Sequence, residues 1–156
     1  MYGDTTLTKW TKHLLDFMFY MGIAVIVTLP ISVKLIGRLY RERMYSNAVL
    51  DNYAEIIAVY FVLGVLAEIL VFELRKIFNT VLKGDCFVME NVQSLKKMGN
   101  VSFFIAAMSV VRSVVYLTVA MLVVVLVFVI AGLFSRVLAQ VFEQAVRYKE
   151  ENDLTI

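Results

Sequence analysis

Val101–Phe142 reads VSFFIAAMSVVRSVVYLTVAMLVVVLVFVIAGLFSRVLAQVF, forty-two residues with only Arg112 and Arg136 charged. As one helix it would be about 63 Å long at ~1.5 Å per residue. A bilayer's hydrocarbon core is only about 30 Å thick, so the run must fold back on itself. The split is expected near Thr118–Met121, giving spans of about 101–118 and 121–142. No Gly or Pro marks that turn.

Two further apolar segments lie upstream. The first runs from about Leu14 to Ile36, with Trp10 before it and Lys34 and Arg38 at its far end. Trp at headgroup level and snorkelling Lys or Arg are what a membrane interface selects. Pro30 removes one helix hydrogen bond there, and a kink is the plain reading. The second runs from about Tyr53 to Leu74 and is closed by Arg75 and Lys76.

Composition agrees. Of 156 residues, 61% are hydrophobic and only 18% charged. Soluble domains are roughly 45–50% apolar and about 25% charged. Disorder and an ordinary soluble enzyme are therefore poor fits. The expected fold is all-α: an integral membrane bundle of four transmembrane helices in one domain, residues 1–156. No cleavable signal peptide is read, because the first span is too long and lacks a small-residue cleavage site.

Orientation follows from Lys and Arg. In a four-span arrangement the N-terminus, the middle loop and the C-terminal part share one side and carry ten. The opposite side carries four: Lys34, Arg38, Arg41 and Arg43. Both termini are thus expected in the cytoplasm of a multi-pass cell-membrane protein. A net charge of +2 is too balanced for direct nucleic-acid binding.

The middle connection carries a turn at Lys83-Gly84-Asp85. From Phe87 the spacing of Val88, Val92 and Leu95 becomes helical, which predicts a short amphipathic helix between spans 2 and 3. On the last span Gly132, Arg136, Gln140, Glu143 and Arg147 share one face. Glu143/Arg147 and Arg147/Glu151 are i,i+4 pairs, so a cytoplasmic helical extension over 143–151 is expected.

Two stretches carry a family resemblance. One is Lys83-Gly84-Asp85-Cys86-Phe87-Val88-Met89-Glu90-Asn91 with Leu95-Lys96-Lys97-Met98-Gly99. The other is Leu138-Ala139-Gln140-Val141-Phe142-Glu143 with Glu150-Glu151-Asn152-Asp153-Leu154-Thr155-Ile156. Together they resemble the uncharacterised bacterial membrane family termed domain of unknown function 2975, also described as YoaS-like. The likeness covers essentially the whole chain. It departs at Val88, where the family usually has a Thr able to cap the helix; Asp85 is a substitute cap. The resemblance implies four spans and no particular reaction. It also implies association with a small helix-turn-helix regulator, since such regulators are often encoded beside family members. Gly84, Phe87, Glu90, Asn91, Glu150, Glu151, Asp153, Leu154, Thr155 and Ile156 are the implied docking residues.

Charges inside a membrane are costly and mark functional sites by default. Glu68 and Arg136 each lie about 9 Å inside a span edge, and Arg112 about 16 Å. Equal depth predicts a Glu68–Arg136 pair, with Arg112 extending the network. Ser102, Ser109, Ser113 and Tyr116 share Arg112's broad face. The network either sets helix register or lines a path for an ion, proton or lipid headgroup.

Little else suggests chemistry. One Cys (Cys86) and one His (His13) exclude an intrachain disulfide and the usual zinc sites. No phosphate loop, nucleophile elbow or metalloprotease motif occurs. No enzyme activity, cofactor or metal is expected. The leading expectation is a membrane protein that binds or sequesters a helix-turn-helix regulator. The alternative is a small transporter, channel or lipid-binding component using the intramembrane charges. A protein that shields the membrane under stress is a weaker third. A homo-oligomer is a further expectation, because a small bundle has few ways to bury a polar stripe alone.

Overall fold

In the computed structural model, residues 5–44, 48–115 and 118–153 are described. All the regular structure among them is helical: α1 (Thr5–Met44), α2 (Ala48–Asp51), α3 (Tyr53–Leu82), α4 (Met89–Val115) and α5 (Val119–Asp153). Three helices are long and apolar enough to cross a membrane: α1, α3 and α5. The protein is therefore a membrane protein. Among the described residues α4 is not one of the three.

The helices outrun the expected spans. α1 is 40 residues long, about 60 Å at ~1.5 Å per residue. Lys34, Arg38, Arg41 and Arg43 thus lie on a helix end and not in a loop. Pro30 sits inside α1, and Tyr53 Oη donates a 3.1 Å hydrogen bond to its carbonyl. The short amphipathic helix between spans 2 and 3 does not exist as a separate element. Its residues are the first turns of α4, continuous with the third apolar segment. Nothing in 98–101 breaks the helix, since a single Gly99 costs only about 1 kcal/mol against Ala.

Packing follows chain order. α1 packs on α3, α3 on α4, and α4 on α5. Among the described residues α1 and α5 make no such contact, so the row does not close into the expected four-helix bundle. α4 and α5 approach closely where Gly99 faces Arg136 and Gly132 faces the Phe103 ring. Ser102, Ala106 and Ser109 are buried along α4, and Ser135 and Ala139 along α5. Small residues let helix backbones approach in lipid, where no hydrophobic force drives helices together.

One end of the molecule is the better packed. It holds the α3–α4 turn, the start of α1 and the last turns of α5. Here Ile77, Leu95 and Ala139 form a core with Val81, Met98, Leu138 and Phe142. Elsewhere Leu35, Leu126, Ile130 and Leu133 are exposed, as lipid-facing side chains are. We refer to these as the turn end and the far end.

Candidate functional site

The turn end brings together most of the residues that carry chemistry. α3 ends at Leu82 and the chain turns at Gly84, whose φ of +82° is a backbone state that side chains with a Cβ resist. Gly84 N–H donates to the Val81 carbonyl at 3.1 Å and Asp85 N–H to the Thr80 carbonyl at 3.2 Å. These two bonds form a Schellman closure, which satisfies carbonyls left over at the helix end.

Asn91 clamps this turn. Its Nδ2 donates to Thr80 Oγ1 at 2.7 Å and to the Cys86 carbonyl at 2.8 Å. Asn91 is completely buried, so its expected place on a docking surface does not hold. A buried amide needs its hydrogen bonds, and Asn91 finds them inside the turn. Asp85 does not cap α4 as suggested for it; its Oδ1 accepts from Lys149 Nζ at 2.9 Å. The first α4 bonds run instead to the Val88 carbonyl, from Asn91 N–H at 3.0 Å and Val92 N–H at 3.5 Å.

The other turn-end docking candidates lie outward. Gly84 and Glu90 are exposed, and Glu90 stands 3.5 Å from Lys76 Nζ. Phe87 is about half exposed and its ring meets Phe142 at 5.4 Å. Glu150 and Glu151 are exposed on the last turns of α5. Asp153 is the last residue of α5, and Leu154, Thr155 and Ile156 lie outside the described residues.

Behind this surface sits an ion cluster. Glu73, with a side chain only 3% exposed, accepts from Lys97 Nζ at 2.5 Å and from Ser94 Oγ at 2.8 Å, with Lys76 at 3.8 Å. Lys96 Nζ donates to Glu143 at 2.8 Å, and Arg147 reaches the same carboxylate at 3.5 Å. Arg75 Nε donates to Asp16 Oδ1 at 2.6 Å, and its guanidinium lies 4.4 Å from the Phe19 ring centroid. These contacts tie α1 to α3, α3 to α4 and α4 to α5. Glu143 lies beyond the expected span, and its bond with Lys96 followed by the Lys96 charge holds its carboxyl below the usual range.

The three intramembrane charges do not converge. Arg112 pairs with Glu55 at 3.5 Å near the far end and lies 5.4 Å from the Tyr60 ring. Arg136 is exposed and donates to Asn100 Oδ1 at 2.6 Å. Glu68 packs against Gly22 of α1, so closely that a Cβ there would overlap its carboxylate. Glu68 Oε2 has no hydrogen-bond partner within the protein. Equal depth in two helices says nothing about azimuth: Glu68 faces α1, whereas Arg136 faces α4. The expected Glu68–Arg136 pair is therefore not formed.

Glu73 was the acid that sequence reading missed. It resembled a span-end residue beside Arg75 and Lys76. A signal was present: Glu73 and Lys97 lie eleven residues before and thirteen after Gly84, so a hairpin turning there sets them level. Among the described residues, no three His, Cys, Asp or Glu side chains gather as metal ligands. Tyr116, expected on the Arg112 face, lies outside the described residues.

No curated protein and no solved structure matches this chain. The family described as "protein of unknown function (DUF2975)" matches residues 9–156. With that match covering nearly its full length, the chain belongs to this family.

Proposed function

We propose that this is a multi-pass membrane protein whose turn end docks a small cytoplasmic helix-turn-helix regulator and holds it at the membrane. The observation that supports this reading is the 2.9 Å contact between Lys149 and Asp85. It joins residues sixty-four apart into one surface: Asp85 lies in the first stretch that carries the family resemblance, and Lys149 stands just before Glu150 of the second. Phe87 offers an aromatic anchor on that surface, and Glu90, Glu150 and Glu151 an acidic rim. Aromatic anchors dominate binding energy at interfaces. An acidic rim complements the basic face of a DNA-binding partner. In this reading both termini are cytoplasmic, in line with the Lys and Arg bias.

The test is affinity capture of the detergent-solubilised full chain from its native cells, followed by rebinding of the purified captured protein. A helix-turn-helix protein that binds the full chain, and binds weakly to a chain ending at Arg147, is the expected result. Equal binding to both chains overturns the docking assignment.

A further inference from the structure

A cavity of about 410 Å³ lies between α3 and α4 toward the far end. Small-molecule sites occupy roughly 300–1,000 Å³. Its apolar wall is Val59 of α3 with Phe104, Met108 and Val111 of α4, and Glu55 and Arg112 line the same cavity. The helix faces agree. Glu55 and Val59 are four apart on α3, and Phe104, Met108 and Arg112 follow at intervals of four on α4. From Phe104 to Arg112 the lining runs about 12 Å at ~1.5 Å per residue. One leaflet of hydrocarbon is about 15 Å deep. Glu55 lies in the first turn of α3. The groove therefore begins among lipid tails and ends at two opposite charges near the far-end interface.

Those charges choose the occupant. Arg112 Nη1 meets Glu55 Oε1 at 3.5 Å, whereas a strong charge-assisted bond is about 2.7–2.9 Å long. The Tyr60 ring, 5.4 Å from the guanidinium, steadies the cation where it stands. The Glu55 side chain is 55% exposed and that of Arg112 12%, so the carboxylate has surface for a second partner and the guanidinium forms the wall beside it. A headgroup with a phosphate alone would gain Arg112 and be repelled by Glu55. A headgroup with a phosphate and an ammonium meets both charges with the opposite sign. A primary ammonium also brings N–H donors for the carboxylate, which a quaternary one lacks.

We propose that this groove binds phosphatidylethanolamine from the far-end leaflet. One acyl chain lies along Phe104, Met108 and Val111, where an empty apolar groove would forfeit dispersion contacts. Arg112 donates to the lipid phosphate. The lipid ammonium donates to Glu55.

Native mass spectrometry of the full chain in detergent tests this with three probes of equal chain length: dimyristoyl phosphatidylethanolamine, phosphatidylcholine and phosphatidylglycerol. The wild type is expected to retain phosphatidylethanolamine over each of the others by about tenfold, the size of one hydrogen bond to a charged group. Glu55→Gln is expected to lose that preference and to retain phosphatidylglycerol more strongly than the wild type does. Arg112→Gln is expected to weaken all three lipids, because the phosphate is common to them. Ala107→Trp fills the groove from α4 and is expected to abolish retention. Circular dichroism checks that each variant stays helical; an Ala107→Trp chain that misfolds is replaced by Met108→Trp, which fills the same groove. Equal retention of the three lipids by the wild type overturns the proposal. So does an unchanged lipid order in folded Glu55→Gln, or undiminished retention by a folded, groove-filled variant.

Discussion

Among the described residues Glu73 of α3 and Lys97 of α4 form the shortest ion pair at the turn end, 2.5 Å apart, with the carboxylate 3% exposed and the ammonium 57% exposed. The asymmetry decides which partner matters. Removing Glu73 leaves Lys97 free to reach solvent. Removing Lys97 leaves a buried carboxylate with only Ser94 and the more distant Lys76. Breaking a buried pair costs about 3–5 kcal/mol, and exposure of one partner lowers that figure. Lys97→Met should therefore destabilise by about 1–3 kcal/mol, more than Glu73→Gln does. Denaturant unfolding in detergent, read by circular dichroism, compares the two.

Asn91 and Gly84 fix the same turn by different means. Asn91→Leu leaves the Cys86 carbonyl without its donor and should cost about 1–3 kcal/mol. Gly84 has open space around it, so Gly84→Ala suffers only from its positive φ, about 1–2 kcal/mol. Gly84→Asn should cost less, because Asn tolerates that backbone state. Thermal unfolding of the three variants should give that order; an Ala variant as stable as wild type would show that the turn has another shape.

Gly22 and Glu68 should be strongly coupled. A Cβ at Gly22 would overlap the Glu68 carboxylate, so Gly22→Ala forces α1 away from α3 or turns the acid toward lipid. Shortening the acid relieves both. A double-mutant cycle with Glu68→Ala should give a coupling of about 0.5–3 kcal/mol, with the pair of changes less harmful than their sum. Simple additivity would place the two residues apart.

Glu143 supplies a pH dependence. Its carboxyl is held below the usual range in the folded protein, chiefly by the hydrogen bond from Lys96. A depressed acid contributes stability that is present above its unfolded pKa and is lost as pH falls through the folded one. Stability should therefore fall in the acid range, below the ordinary carboxylate pKa. Lys96→Gln should raise the Glu143 pKa and shrink that acid-dependent step. Carbon-13 titration of the Glu143 carboxyl, with unfolding curves across pH 3–7, reads both effects.

What was legible in the sequence was what length and hydropathy control. Forty-two apolar residues without room to cross a membrane once had to turn, and they turn between α4 and α5. The Gly84 turn was visible because Lys-Gly-Asp between apolar segments has few other uses. Helix ends were less visible, because charged residues such as Lys76 and Arg41 continue a helix as readily as they close a span. The charge pairs were the least legible. Pairing Glu68 with Arg136 used depth alone, and α3 and α5 are not neighbours. Nothing in the sequence around Glu55 marks it as the partner of Arg112, fifty-seven residues away, which the fold sets 3.5 Å from it. The family resemblance puts Asn91 on the docking surface, whereas its amide is spent inside the turn, on Thr80 Oγ1 and the Cys86 carbonyl.

Each long helix in this protein packs on the one made just before it. Among the described residues no long helix packs on any but its neighbours in chain order, and the Lys149–Asp85 contact only closes the last of these steps. A chain with this wiring can assemble in the order in which it leaves the ribosome, hairpin upon hairpin, with little loop-closure entropy at each step. Damage should accordingly be local in time as well as in space: a fault in α5 arises after α1 and α3 have already docked, and leaves them in place.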